Sequence, residues 1–329
     1  MSQIHQSTKY QTQSTPMLLG KSSNIGYSLI RNRMACIGGL LVLVLVGVAL
    51  FAPFLSEVGL LENPLEQHSL GLNEDGLPRA PGSTFRLGTD NLGRDVLSRV
   101  IFGARISLTV GIVAMLTAVF IGVSIGATAG YFGGWVNTLL MRCTDVMMTI
   151  PGLLLAIAFA GLMDGRIIHL HPDSLEWHSL DIPLKRGLIT IFLVIGIVSW
   201  TWIARVIRGQ VLSLRSREFV DSARALGCSH FRIILRHIMP NILPTIIVLA
   251  SLSTANTVLL DAGLSYLGVG VPPPSPSWGT MIAEGQAYFI VSPHMTIVPG
   301  IAIILTVVGF NLLGQGLQEV LDPYAKGKR

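Results

Sequence analysis

The chain alternates long apolar stretches with shorter polar ones. Five of the apolar stretches are each long enough to cross the hydrocarbon core of a bilayer as one helix, and a sixth is interrupted by Pro151. The predicted spans are residues 34–55, 106–130, a third that ends near 163, then 187–207, 242–264 and 296–317. This pattern predicts an all-α polytopic membrane protein with six transmembrane helices.

Composition and charge agree with that prediction and orient the chain. Half of the 329 residues are hydrophobic and only 12% are charged, so most of the chain must be buried in lipid or protein. Bases outnumber acids in the segments predicted to be cytoplasmic, whereas acids outnumber bases in 56–105. Positively charged loops stay in the cytoplasm, which predicts both termini inside. The net charge of +5 therefore needs no nucleic-acid partner, and the three cysteines, which lack metal-type spacing, predict no disulfide.

The predicted organisation follows from these assignments. It consists of a cytoplasmic tail (1–33), a first span (34–55), an extracytoplasmic segment (56–105), a core of five further spans (106–318) with a cytoplasmic loop (208–241), and a second cytoplasmic tail (319–329).

Small and polar residues mark particular faces of the predicted spans. Gly122, Gly126 and Gly130 recur every fourth residue, a spacing that lets two membrane helices approach closely, so this face is predicted to contact another helix. Asp145 is predicted to face the bundle or the cytoplasmic interface, because a charged side chain in lipid is costly. The fifth span contains three polar residues that are candidates for a translocation path: Asn256, Thr257 and Asp261. For Asp261, the alternative is that it caps or pairs with a group near the outer interface.

Two groups of outer polar residues admit a chemical and a structural interpretation. Asp90 and Asp95 precede the second span, and we interpret them as a helix cap and arginine partners rather than as catalytic acids. His169 and His171 lie near carboxylates in the loop 164–186 and could supply metal ligands, but a solvated loop explains them more simply. We predict no metal site.

The cytoplasmic loop contains a short basic and amphipathic stretch. Ser216 is a predicted N-cap, Gly227 ends the first helix, and Ser229 caps a second helix that is predicted to end at Pro240. Phe219, Ala223 and Leu226 share one face of the first helix at helical spacing. The predicted unit is therefore helix, glycine, helix.

This loop resembles the loop signature of ABC importer permeases. Asp221-Ser222-Ala223 stands where that signature has Glu-Ala-Ala, Gly227 follows at the same distance, and 237–240 close the motif with its proline. The resemblance implies the ABC importer type I permease fold, in which this loop forms a coupling helix that docks on an ATP-binding subunit. The interface residues that it implies are Glu218, Phe219, Asp221, Ser222, Ala223, Arg224, Ala225, Leu226 and Gly227.

Three further stretches narrow the resemblance to one group of permeases. The dipeptide, oligopeptide and nickel permeases have segments similar to residues 87–99, to the proline-rich 264–281 and to the C-terminal 310–323. The long N-terminal tail and the long outer segment resemble those of the C-type subunit of these permeases. The implied partners are a B-type permease in a heterodimer, two ATP-binding subunits, an extracytoplasmic binding protein and membrane lipid. The implied location is the bacterial inner membrane.

The sequence also bears on the substrate and on competing functions. It has no phosphate-binding loop, so ATP and magnesium are expected on the partner subunits, with no cofactor on this chain and no enzymatic activity of its own. Dipeptides or oligopeptides are the expected substrates, with nickel complexes or another small solute as the alternative. A stand-alone secondary transporter would need intramembrane ionisable groups in several spans, and only Asp145 and Asp261 qualify.

Overall fold

The computed structural model describes residues 25–163, 186–272 and 274–321, which form helices and loops and, within this described part, no strand. Five helices are long and apolar enough to cross a membrane, and a bent pair supplies a sixth span, as predicted. The helices are α1 (Ile25–Arg31), α2 (Arg33–Glu57), α3 (Val96–Phe132), α4 (Gly134–Thr149), α5 (Gly152–Met163), α6 (Arg186–Arg215), α7 (Glu218–Ala225), α8 (His230–Arg232), α9 (Met239–Tyr266), α10 (Trp278–Gln286) and α11 (His294–Leu321).

The first span, α2, packs against the last, α11. Its N-cap Asn32 accepts a hydrogen bond from the Ala35 backbone and donates one from its side chain to Glu319 at 2.7 Å. Gly38 lies so close to the backbone of α11 that it leaves no room for a β-carbon. Most of the remaining surface of α2 is exposed and apolar, as lipid contact requires.

The second span is longer than predicted. We expected 56–105 to be extracytoplasmic and the span to begin at 106, but α3 begins at Val96, because Asp95 caps it by accepting a hydrogen bond from the Ser98 backbone at 2.7 Å. The polar side chains in its first turns do not end the helix, since protein buries them: Ser98 and Arg99 are both at most 1% exposed.

The third span is broken rather than gently kinked. Helices α4 and α5 meet at Ile150 and Pro151 with a bend of 94°. Ile150 has an extended backbone, which is the conformation that a following proline favours. The sequence predicted a kink at Pro151, and the chain instead divides into two helices there.

The cytoplasmic loop folds as two short helical pieces between long helices. The predicted cap Ser216 is wrong: Arg217 occupies the N-cap position of α7 without a side-chain bond, and the Ser216 hydroxyl donates to Ser213 instead. Gly227 follows α7 with a φ of +75°, as the predicted helix end requires. Ser229 caps the next helix by accepting from the Arg232 backbone, as predicted.

Pro240 does not end the second helix, contrary to our prediction. Helix α8 continues through a π-helical turn (Ile233–Ile238) directly into α9, so one helical rod runs from His230 to Tyr266. In the π-turn, backbone N–H groups bond to carbonyls five residues back instead of four, so the regular α-helical pattern is already interrupted just before Pro240. The Asn241 side-chain amide also donates a hydrogen bond to the His237 carbonyl at 2.6 Å. The loop and the fifth span therefore form one mechanical element.

The described part of the proline-rich segment after α9 is partly buried against protein, since Val271 and Pro276 are buried whereas Leu267 and Pro274 are exposed. It leads into α10, whose N-cap Ser277 forms a reciprocal capping box with Thr280. Trp278 is 1% exposed, and its indole donates to the Val100 carbonyl of α3 at 3.0 Å. This contact holds the start of α10 to the first turns of α3.

Candidate coupling surface and translocation residues

Helix α7, the predicted coupling helix, has one face buried within its own chain and one face exposed. Val220 and Ala223 are at most 4% exposed and belong to an apolar cluster with residues of α3, α6 and α9. Phe219 is 38% exposed and Leu226 is 83% exposed. The prediction that Phe219, Ala223 and Leu226 share one face is therefore wrong. Helix α7 is oriented so that Val220 and Ala223 face the bundle, while Phe219 and Leu226 are exposed.

The exposed part of α7 carries the polar and charged residues that a partner protein would meet. Arg224 forms an ion pair with Asp221 at 3.0 Å, and both side chains are at least one third exposed. Gly227 is open to solvent, since a β-carbon there would meet nothing within 4 Å. Phe231, just beyond it, is 72% exposed and extends the apolar surface. The other predicted interface residues, Glu218, Ser222 and Ala225, are also exposed.

The glycine face of α3 lies against α6. A β-carbon on Gly126 would stand 2.5 Å from the Ala204 carbonyl oxygen, and one on Gly122 would stand 2.7 Å from the Ile203 β-carbon. Gly130 is equally close to Arg208 and Val211. Such distances are far below normal contact, so the two backbones touch and α3 and α6 behave as one packed pair.

Basic residues connect the C-terminal half of α6 to α4 and to the turn before it. Arg205 pairs with Asp145 at 2.7 Å, at a site where both side chains are about half exposed. Arg208 donates to the Asn137 side chain, and the Arg215 guanidinium lies against Gly133, where a β-carbon would collide with it. Gly133 has a φ of +68°, which lets the chain turn sharply from α3 into α4.

The polar residues of the fifth span do not share one environment. Thr257 is buried and donates to the Gly111 carbonyl of α3 at 2.8 Å, so it links two helices. Asp261 is 1% exposed, and neither of its carboxylate oxygens has a hydrogen-bond partner among the described residues. Asn256 is exposed on the outside of α9. Of the three, only Asn256 presents its side chain to a surface where a substrate or a partner subunit could contact it.

A buried charge cluster joins the segment between α2 and α3 to α3 itself and to α10. Asp90 accepts hydrogen bonds from Arg94 at 2.6 Å and from Arg99, whose side chain is 1% exposed. Glu284 of α10 contacts Arg99 at 2.9 Å and Arg94 at 3.3 Å. Burial raises the pKa of Glu284, and the Arg94 guanidinium opposes that shift. The interpretation of Asp90 and Asp95 as structural residues agrees with this geometry, whereas no sequence pattern pointed to Glu284.

In the described part of the chain, no group of three or more His, Cys, Asp or Glu side chains lies close enough together to hold a metal ion. His169 and His171 lie outside the described residues. The three cysteines are free. What the described arrangement provides is a helical bundle with an exposed amphipathic helix at one end and a protein-covered cap at the other.

This arrangement is the permease fold of type I ABC importers. The structure is similar to a chain of the MetNI methionine ABC transporter in an inward-facing conformation, with a TM-score of 0.50 at 15% identity, covering 69% of this chain and 98% of that one. At this level of identity, the likeness concerns the fold alone.

Sequence comparison places the chain within a family. Residues 119–327 match the model of the binding-protein-dependent transport system inner membrane component, and residues 25–72 match the N-terminal transmembrane domain of oligopeptide transport permease C. The chain is 36% identical over 297 residues to the glutathione transport system permease protein GsiD of Pectobacterium atrosepticum, covering 90% of this chain and 89% of that one. GsiD of Escherichia coli is also 36% identical, with 90% and 88% covered.

The chain therefore belongs to the binding-protein-dependent transport system inner membrane component family, in the C-type branch of its peptide and nickel permeases. It is a permease subunit of a bacterial ABC importer and a multi-pass protein of the inner membrane. Permeases of this family work with a partner permease, an ATPase and a substrate-binding protein. The resemblance inferred from the sequence is confirmed.

Proposed function

We propose that this chain forms half of the translocation path of a peptide importer and couples ATP hydrolysis on partner subunits to peptide uptake. Its permease partner is a B-type subunit, two ATP-binding subunits dock on the cytoplasmic side, and a binding protein delivers the peptide from outside. The chain itself binds neither ATP nor magnesium. The observation that carries this proposal is the exposed helix α7, which is rigidly packed on one face and free on the other.

The free face of α7 has the features of a docking surface. Phe219, Leu226 and Phe231 expose apolar area next to the charged pair formed by Arg224 and Asp221. A central apolar contact with a polar rim is the usual anatomy of a protein interface. Since Val220 and Ala223 hold the opposite face to the bundle, a push on α7 would reach the spans directly.

The orientation of the chain follows from the same proposal. The basic residues of α6 and of the coupling loop lie at the end of the bundle that carries α7, and positively charged segments remain in the cytoplasm. Both termini and α7 are then cytoplasmic, and the cap around Asp90 and Glu284 faces outward. This cap is the surface on which a binding protein would land.

The relatives support a peptide as the substrate. The name of GsiD assigns glutathione, a tripeptide, to that permease. We propose short peptides for this chain as well, with Asn256 as its contribution to the path, because its amide can bond both the N–H and the C=O groups of a peptide. A nickel complex or another small solute is the competing cargo.

The test is reconstitution of the complete importer in liposomes with its binding protein. Uptake and ATP turnover are measured together for dipeptides, glutathione, longer peptides and a nickel complex. We expect a short peptide to stimulate turnover and to accumulate, and we expect this chain alone to show no turnover. Stimulation by the nickel complex only would exclude the peptide assignment, and uptake driven by an ion gradient without ATP would indicate a secondary transporter.

A further inference from the structure

Three helical elements meet at one side chain on the cytoplasmic side of the bundle. Tyr131 lies in the last turn of α3 and is 3% exposed. Its hydroxyl is 2.8 Å from Nδ1 of His230, the first residue of the rod that becomes the fifth span. The guanidinium carbon of Arg224, on α7, lies 5.6 Å from the centre of the Tyr131 ring. The second span, α7 and the start of the rod that forms the fifth span therefore all contact one phenol.

The hydrogen bond and the cation–ring contact of Tyr131 are directional, whereas the apolar packing around them is not. The apolar contacts of Val220 and Ala223 fix how deeply α7 sits, but apolar packing has little preference for small rotations or shifts along the axis. A hydrogen bond and a cation over a ring restrict both angle and distance. Phe132 adds an edge-on contact with His230, at 5.8 Å between ring centres.

The two ends of this connection are well suited to pass on a displacement. Behind Tyr131, α3 is packed backbone to backbone against α6 through Gly126 and Gly130, so the two helices must move together. Behind His230, the π-helical turn Ile233–Ile238 leads without a break into α9. π-Turns often occur at functional sites, where they allow a helix to change its bend or register.

We propose that Tyr131 is a positioning residue for coupling: it holds α7 and His230 in register, so that displacement of α7 moves the second and fifth spans together. The proposal rests on the proposed docking of α7 to an ATP-binding subunit and adds the residue through which that docking reaches the path. Without the phenol hydroxyl, α7 remains packed on the apolar cluster, but the directional link between Tyr131 and His230 is lost and less of its displacement reaches the fifth span.

Tyr131→Phe isolates this role, because it removes only the hydroxyl and keeps the buried ring and its contact with Arg224. In the reconstituted importer, we expect ATP-binding subunits to be retained at the wild-type level, while peptide imported per ATP hydrolysed falls roughly two- to tenfold, the range that loss of one hydrogen bond supports. The matched control is Tyr266→Phe, at the outer end of α9, where the ratio should not change. A wild-type ratio in Tyr131→Phe would overturn the proposal.

A double-mutant cycle with His230→Leu separates coupling from general destabilisation. If the hydroxyl acts through His230, the double variant should be no worse than the poorer single variant, whereas additive losses would contradict the proposed connection. His237→Leu, further along the same rod, is the control for the loss of an imidazole. Failure of the proposed function would look different, since the wild-type importer itself would then lack peptide-stimulated ATP turnover, and both proposals would be rejected.

Discussion

At the scale of single residues, Ala223 and Gly227 both need to be small, but for different reasons. Ala223 is 4% exposed and packs among the chain's own apolar side chains, so a larger residue there would disturb this chain before it met a partner. Gly227 has open space around it and a φ of +75°, so its requirement is conformational. The sequence motif contains both residues without distinguishing these roles.

Gly227→Val should weaken coupling through backbone strain. A left-handed backbone costs a residue with a β-carbon about 1–2 kcal/mol, and a β-branched side chain adds to that cost, so the turn that sets α7 against α8 will relax. We expect lower peptide uptake per ATP, measured in the reconstituted importer, with the spans still inserted. Gly227→Asn is the matched control, because asparagine tolerates this conformation and should couple nearly normally. Equal behaviour of the Val variant and the wild type would remove the turn from the mechanism.

Arg99 illustrates a residue whose burial makes it indispensable to the outer cap. It is 1% exposed and contacts both Asp90 and Glu284, so its removal leaves Arg94 as the cation that these two carboxylates share. We expect Arg99→Leu to lower the stability of the cap by about 3–5 kcal/mol, the range for breaking a buried ion pair.

Limited proteolysis of the purified complex measures this effect, as faster cleavage in 56–95. The control is Arg86→Leu, since Arg86 is exposed nearby and should be dispensable. Equal protease resistance in Arg99→Leu and the wild type would mean that Asp90 and Glu284 find other partners.

At the scale of elements, sequence periodicity predicted which segments cross the membrane but not how they continue into one another. The start of α3 was placed ten residues too late, because its first turns contain polar residues such as Arg99 that are typical of a loop. The burial of Arg99 by distant segments is not visible in a local pattern. Pro240 was also predicted wrongly, as the end of a helix, because the π-turn that precedes it depends on tertiary packing and has no local sequence signal. The glycine spacing, by contrast, indicated a close helix pair, because close approach requires small residues wherever it occurs.

The pairing of α3 with α6 makes a direct prediction for Gly126. Gly126→Leu forces a side chain into the position held by the Ala204 carbonyl, and we expect a cost of about 1–3 kcal/mol and less assembled importer in the membrane. The amount of complex recovered by affinity purification, relative to total chain in the membrane, measures it. Gly161→Leu on α5 should be tolerated, because a β-carbon there meets nothing within 4 Å. Normal assembly of Gly126→Leu would place this face against lipid instead.

At the scale of the whole molecule, the two ends of the bundle differ in the kind of surface that they present. One end carries α7 with its exposed apolar and charged residues, and the other carries the cap in which Asp90, Arg99 and Glu284 bind three segments together. Under the proposed function, an exposed helix packed on one face at one end and a cross-linked cap at the other suit an importer driven from the cytoplasm, because displacement would enter through α7.

This polarity can be tested by labelling two exposed positions with a membrane-impermeant maleimide, in a background where the three native cysteines are replaced by serine. Ile290→Cys lies at the tip between α10 and α11, where the native side chain is 95% exposed, and should react in intact cells. Leu226→Cys, next to Gly227 and 83% exposed in the native residue, should react only after the membrane is opened. Labelling of both sites after opening controls for accessibility. If Leu226→Cys reacts from outside while Ile290→Cys does not, the chain is inverted, and α7 cannot be the site where ATP-binding subunits dock.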